Sequence, residues 1–207
     1  MTKFTNALQR NITPFRFDTV GSFLRPARLK AARAAFAAGK LSAEGLKQAE
    51  DEAIADLTQK QKAVGLRAIT DGEFRRSWWH LDFMWGLNGV EKATLEHGYR
   101  FSNEETRPET ARLSAKITGD HHPFIEHFKF LQQFAGGGVI ARQTIPAPLQ
   151  FLLEIQRPEN KAATERVYSD ADELLADIAG AYRTIIADLY AVGCRSLQFD
   201  DVTWAGF

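Results

Sequence analysis

The pentapeptide Ala63-Val64-Gly65-Leu66-Arg67 returns as Ala191-Val192-Gly193-Cys194-Arg195, and in both places it stands between a helical pattern and a short apolar run. Before the first copy, Leu46, Ala49, Ala53, Leu57 and Val64 recur at helical spacing behind Ser42, a residue type that caps helix N-termini. Before the second, Leu174, Ile178, Ile185 and Leu189 form the same stripe behind Ser169. Gly65 and Gly193 suit the left-handed residue just past a helix end. Each glycine is followed by a run too short for a helix that ends in acid. Leu66 to Thr70 leads into Asp71-Gly72-Glu73, and Ser196 to Phe199 leads into Asp200-Asp201. These runs read as buried parallel strands behind covering helices.

Helix, glycine, strand and then carboxylate is the order of a β/α barrel or a doubly wound sheet, where functional groups gather at the C-terminal ends of the strands. Three further strands are predicted at Phe17 to Gly21, Arg112 to Thr118 and Val139 to Ile145, the last stopped by Pro146 and Pro148. That makes about five, where a complete barrel has eight and typically about 250 residues. No glycine-rich phosphate fingerprint follows a strand, and Gly136-Gly137-Gly138 precedes one, so the barrel is preferred over a nucleotide-binding fold. The expectation is an α/β chain, the N-terminal part of a (β/α)8 TIM barrel, in one domain over residues 1–207. Residues 1–16 read as an N-terminal extension. Residues 91–110, polar and holding Pro108, read as an inserted loop.

Composition narrows the partners. Lys plus Arg equals Asp plus Glu at 26 each, so there is no global field to draw nucleic acid or an anionic membrane. No stretch approaches the roughly 20 apolar residues that span a bilayer, and the polar start lacks an apolar signal core, so nothing marks the chain for export; with one cysteine, a reducing cytoplasm is the expected setting. The single cysteine, Cys194, rules out an intrachain disulfide and a thiolate-rich metal site made from this chain. It reads as a small buried hydrophobe.

Three segments at predicted strand ends carry the chemistry: Thr19-Val20-Gly21-Ser22-Phe23, Thr70-Asp71-Gly72-Glu73-Phe74-Arg75-Arg76 and Gln198-Phe199-Asp200-Asp201. With Leu24-Arg25-Pro26 after the first and Ser77-Trp78-Trp79-His80-Leu81-Asp82-Phe83 after the second, they resemble the catalytic barrel of cobalamin-independent methionine synthases, above all the short single-barrel relatives. The resemblance runs from about Phe17 to Phe207 and implies a barrel of the methionine synthase/uroporphyrinogen decarboxylase type. It implies zinc-dependent methyl transfer from a 5-methyltetrahydrofolate-type donor to the thiol of homocysteine. Val20, Gly21 and Ser22 would contact the substrate carboxylate, and Glu73 and Asp200 its ammonium. Arg75, Trp78, Trp79, His80 and Asp201 are candidates for the donor pocket. Asp201 stands where these enzymes often carry glutamate, and Glu154 lies near the place of an aromatic that they carry after the fourth strand.

Read without the resemblance, Ser22 is equally a helix cap, Asp71 and Glu73 are acids at a helix start, and Asp200 and Asp201 are salt-bridge partners for Arg75 or Arg76. Trp78, Trp79, Trp85 and His80 are equally core. His121, His122, Glu126 and His127, beside Pro123, read as a surface or capping cluster at a helix start rather than as a metal site. The resemblance places the zinc ligands on strands after Asp200, so none is expected here, and the chain is expected to be a fragment that carries the substrate half-site and is inactive alone. An open barrel edge would then favour self-association. Two alternatives stay open: alkyl transfer to another thiol by the same fold, and a non-catalytic binding or assembly module.

Overall fold

A computed structural model describes residues 13–15 and 17–203 of the chain, so most of the expected N-terminal extension lies outside the described residues. In chain order the elements are α1 (Ala27–Ala37), α2 (Ala43–Ala63), β1 (Ala68–Ile69), α3 (Leu81–Met84), β2 (Asn88–Thr94), β3 (Arg100–Phe101), β4 (Glu104–Glu105) and β5 (Glu109–Thr118). They continue as α4 (Phe124–Gln132), β6 (Ile140–Ala141), β7 (Gln143–Pro146), α5 (Pro148–Ile155), α6 (Pro158–Val167), α7 (Ala171–Ala191) and β8 (Leu197–Asp200). Two compact units result. One holds Met1–Arg76, Glu126–Thr144 and Val192–Gln198, and the other Ser77–Ile125, Ile145–Ala191 and Phe199–Phe207. No helix among the described residues is long and apolar enough to cross a membrane.

In the first unit α2 begins and ends as its sequence dictates. Ser42 Oγ accepts the Gly45 amide at 3.1 Å, and Lys60 and Lys62 sit at the negative end of the helix dipole. At the far end Gly65 adopts φ +86°, with Gly65 N–H donating to Lys62 O and Leu66 N–H to Gln61 O, the paired bonds of a Schellman stop. Ala53, Ile54 and Leu57 face the core, and Gln61 on the same face closes onto the end of β1. Its side-chain amide donates to Thr70 O at 2.8 Å and accepts from Thr70 N at 3.0 Å, serving both backbone groups of a residue with no strand partner there.

The expected run Val139 to Ile145 is two strands about Arg142. Ile140 and Arg142 donate to Arg67 and Ile69 of the β1 segment at 2.8 and 2.9 Å, whereas Gln143 and Ala147 donate to Ser196 and Asp200 at 3.1 and 3.0 Å. Both pairings ascend together and are therefore parallel, and successive peptide groups point to opposite sides, so one segment serves β1 and β8 in turn.

Three expectations are corrected. Phe17 to Gly21 is not a strand: it has no ladder partner among the described residues, Phe17 and Val20 are 69% and 82% exposed, and it is pinned by Asp18, whose carboxylate pairs with Arg142 at 2.6 Å. Arg112 to Thr118 is strand but pairs antiparallel with β2, from Val90↔Leu113 to Thr94↔Glu109, and is not a parallel barrel strand. Residues 91–110 are consequently not a loop but the facing strands of this hairpin, with β3 and β4 paired at its tip. β2 is largely exposed, which is why its sequence looks like loop. The strands described pair as four two-stranded sheets and no closed barrel forms among them.

In the second unit β5 packs under α6 and α7, and Phe83 stacks with His122, Tyr182 and Phe124 at 4.5, 5.2 and 5.5 Å. The cap of α7 falls one residue later than expected: Asp170 Oδ1, not Ser169, accepts from the Asp172 amide at 2.9 Å. Gly89 makes the bulge of β2 at φ +78°, where a Cβ would lie 2.3 Å from Lys116 O.

Replacing Gln61 by leucine leaves two buried polar groups of Thr70 unpaired. At about 1–3 kcal/mol each, the loss is roughly 2–6 kcal/mol, read as a lowered denaturation midpoint with unchanged denaturant slope.

Candidate functional site

The turn that follows β1 is built from its own side chains. Thr70 Oγ1 accepts the Gly72 amide at 3.2 Å and Asp71 Oδ1 the Glu73 amide at 2.9 Å. Two consecutive residues, Gly72 at φ +65° and Glu73 at φ +58°, are left-handed. Gly72 is required twice over, since a Cβ there would also lie 2.4 Å from Leu57 Cδ2. Glu73 has no such freedom and is held by its surroundings.

Those surroundings are polar and buried. Glu73 is 2% exposed, and Arg76, equally buried, places Nη1 3.2 Å from Glu73 Oε1 and Nη2 2.6 and 2.9 Å from Thr144 O and Oγ1. Thr144 Oγ–H donates to Glu73 Oε1 at 3.3 Å, and Ser22 Oγ–H donates to Glu73 Oε2 at 2.6 Å. Arg25 Nη2 spans the turn from outside, 2.8 Å from Glu73 O and 2.7 Å from Arg76 O. The structure therefore brings Ser22 and Glu73 together. Gly21, at φ +74°, has nothing within 4 Å of the place a Cβ would take, so its backbone borders open space, and Val20 beside it is exposed.

Arg75, the neighbour of Arg76, turns to α2, with Nη1 3.4 Å from Glu50 Oε2 and Nη2 on Asp51, and lies over the Phe130 ring at 5.0 Å. Asp200 ends β8, and Asp201 Oδ1 accepts from Thr203 N at 3.0 Å.

In the second unit Asp82 Oδ2 accepts from Ser77 N, Ser77 Oγ and Trp78 N at 3.0, 2.9 and 2.7 Å, which fixes the turn that carries the aromatic residues. His80 lies 4.5 Å from Trp79, 5.8 Å edge-on from Trp78 and 6.3 Å from Tyr99, ring to ring. Trp85 points elsewhere, donating to Thr110 O at 3.1 Å under Lys92. Arg107 covers Trp78 at 4.8 Å and Arg157 covers Tyr99 at 4.2 Å. Burial lowers the His80 pKa to about 4, against the pull of Glu154 and Asp82. His80 Nδ1 and Trp78 Nε1 are buried without a hydrogen-bond partner.

Glu154, 1% exposed, accepts from Tyr99 OH and Thr110 Oγ1 and meets Arg157 Nη1 at 3.5 Å, while Asn160 Nδ2 reaches Thr110 Oγ1 at 2.7 Å. Burial and the Glu154 carboxylate both raise the Tyr99 pKa. Sequence reading does not bring this cluster together because its members are far apart in the chain, as Thr144 is from Glu73, and it reads Arg76 only as a salt-bridge partner for Asp200 or Asp201. A buried-acid position flanked by arginine at three residues' spacing, as in Glu73–Arg76 and Glu154–Arg157, was the available signal. His122, expected in a surface or capping role, is buried and caps the start of α4: Nδ1 accepts from Phe124 N at 3.2 Å, which leaves Nε2–H to donate to Phe83 O at 2.9 Å.

A family model described as "Cobalamin-independent synthase, Catalytic domain" matches residues 15–121. The chain is 41% identical over 203 residues to the Bacillus subtilis (strain 168) protein YxjG, itself uncharacterized, covering 97% of this chain and 52% of that one. It is 28% identical over 196 residues to the Thermosynechococcus vestitus 5-methyltetrahydropteroyltriglutamate–homocysteine methyltransferase, covering 94% of this chain and 24% of that enzyme. Among solved structures, a Listeria monocytogenes protein assigned as a vitamin-B12-independent methionine synthase superposes with TM-score 0.76 at 36% identity, over 94% of this chain and 54% of that one. The chain thus spans about half the length, or less, of the relatives it matches.

With an ordinary histidine near pH 6.5 when unfolded and His80 near 4 when folded, only the unfolded chain takes up that proton between these values, so stability falls as pH drops from about 6.5 to about 4. The loss attributable to His80 is roughly 3 kcal/mol at about 1.4 kcal/mol per unit. Denaturation of His80→Phe beside the wild type at pH 7, 5.5 and 4.5 is expected to show a shallower acid decline in the variant.

Proposed function

The chain belongs to the family of cobalamin-independent synthase catalytic domains, and from that premise we propose that it carries the amino-acid half-site of a methyltransferase acting on homocysteine. The methyl donor is of the 5-methyltetrahydrofolate type. In the reaction the thiol sulfur forms a bond to the methyl carbon as the carbon–nitrogen bond of the donor breaks. The electron pair stays on the donor nitrogen, which takes a proton, and methionine results. On the same reading β1, the β6–β7 segment and β8 are the parallel strands of a partial TIM barrel of the methionine synthase type, with the hairpin of β2 and β5 inserted between the first two.

The observation that carries the proposal is the Ser22–Glu73 pair. A serine hydroxyl has one proton, and here it is given to Glu73 Oε2 at 2.6 Å. A ligand ammonium arriving at that oxygen replaces the hydroxyl as donor, and charge-assisted bonds are the stronger kind. The hydroxyl is then free to turn its proton to the ligand carboxylate, beside the open backbone of Val20 and Gly21. A zwitterion thus satisfies both partners at once, which an amine or an acid alone does not. Asp200 is the second acid that the resemblance assigns to the ammonium.

Zinc on the thiol sulfur is the metal this family implies, and the described residues do not fit it. No three of His, Cys, Asp and Glu among them converge as a ligand set. Cys194 is buried with its thiol toward Ser196 O, and burial pushes its pKa up, away from the thiolate a metal needs.

Calorimetric titration of homocysteine into the purified chain tests the reading. Binding is expected, weakened about tenfold or more by Glu73→Gln and reduced by Asp200→Asn, since bonds to charged groups contribute about 1.5–3 kcal/mol. 4-Mercaptobutanoate, which lacks the ammonium, should bind weakly and ignore Glu73→Gln. No binding of homocysteine, or binding indifferent to Glu73→Gln, would sink it.

A further inference from the structure

We propose that Arg76 is the positioning residue of the ammonium subsite, acting through Glu73 by holding one carboxylate oxygen so that the other is presented to the ligand. The inference rests on the amino-acid reading of Glu73 and goes beyond it by naming what aims that side chain. The two carboxylate oxygens live in different surroundings. Oε1 is taken from the inside, by Arg76 Nη1 at 3.2 Å and by Thr144 Oγ–H at 3.3 Å. Oε2 receives the hydroxyl of Ser22, a residue exposed to solvent. The inner grip is doubly determined, because the same guanidinium also fixes Thr144 through Nη2, at 2.6 Å to its carbonyl and 2.9 Å to its hydroxyl. A planar fork can hold a carboxylate and a threonine in one plane, whereas a lysine ammonium can keep the first but not the whole set.

Arg76 is 2% exposed, so it acts on a ligand through Glu73 and not by touching it. Such a grip is needed because Glu73 stands at φ +58°, a conformation that is strained for a residue with a side chain and persists only when its neighbours dictate it. Arg76 N–H donating to Glu73 O at 3.0 Å, together with Arg25 across both carbonyls, completes the turn. A bare guanidinium–carboxylate pair would satisfy charge in any orientation. The threonine turns it into a fixed angle.

The test is a double-mutant cycle in the full chain, read by calorimetry with homocysteine and with 4-mercaptobutanoate. Arg76→Met should weaken homocysteine about tenfold or more and leave 4-mercaptobutanoate unchanged, Arg76→Lys should recover part of the loss, and Arg76→Met added to Glu73→Gln should cost less than about twofold further. Thr144→Val, a milder change in the same grip, should give an intermediate loss and stands in should Arg76→Met fail to fold. Losses that multiply in the double variant, or that fall equally on both ligands, would mean that Arg76 only stabilises the fold and would overturn the proposal. A second readout needs no ligand: in the amide NMR spectrum of the free protein the Glu73 resonance should move, and its hydrogen exchange quicken, in Arg76→Met or Thr144→Val and return toward the wild type in Arg76→Lys. A Glu73 amide indifferent to these changes also overturns the role. If homocysteine fails to bind the wild type while the amide responds as expected, it is the functional reading that falls and not the positioning.

Discussion

A carboxylate and a guanidinium buried together three residues apart, Glu73 and Arg76, set the terms for the rest of the first unit. Taking two charges out of water costs several kcal/mol each, and mutual attraction offsets this only when the remaining hydrogen-bonding groups are also satisfied. Every neighbour of the pair can be read as meeting that requirement. Thr144 takes the second guanidinium nitrogen, Ser22 donates to the second carboxylate oxygen, and Arg25 donates to the backbone carbonyls of both residues. The turn in its place requires the end of β1 to be fixed, and Gln61 fixes it by closing on both backbone groups of Thr70. Helix α2 thus serves the site through one amide as much as through its apolar face.

What the sequence made legible was whatever is decided locally. The stop at Gly65, the cap at Ser42 and the shortness of the runs behind the two repeated pentapeptides depend on residues within one turn of each other, and β1 and β8 lie within the runs so marked. At α7 two candidate caps stand side by side, and the hydrogen bond to Asp172 goes to Asp170 rather than Ser169. Non-local features were read less well. Phe17 to Gly21 has the composition of a strand, but a strand is defined by a partner, and its anchor is the side-chain pair Asp18–Arg142 across the chain. The β2–β5 hairpin was hidden by its exposure, since a strand that buries little carries little hydrophobic alternation.

The site shows the same division. Ser22 and Glu73 were singled out by motif, and the structure brings their side chains into contact. Arg76 was read only as a partner for Asp200 or Asp201. Nothing in the spacing says that its guanidinium turns inward while that of Arg75 turns to Glu50 and Asp51, since that depends on where α2 lies.

The second unit bears on the donor. Where the resemblance calls for an aromatic face, this chain has Glu154, and its carboxylate is occupied by Tyr99, Thr110 and Arg157. An acid engaged in this way offers a flat ring no stacking surface. The aromatic surface beside it is that of Trp78 and Trp79, whose rings lie 5.8 and 4.5 Å from that of His80. Burial holds His80 uncharged through the physiological range, so it presents an aromatic ring and not a cation. The segment expected to be a loop is what satisfies that acid, because Tyr99 and Thr110, the hydroxyl donors to Glu154 beside the aromatic cluster, both come from it.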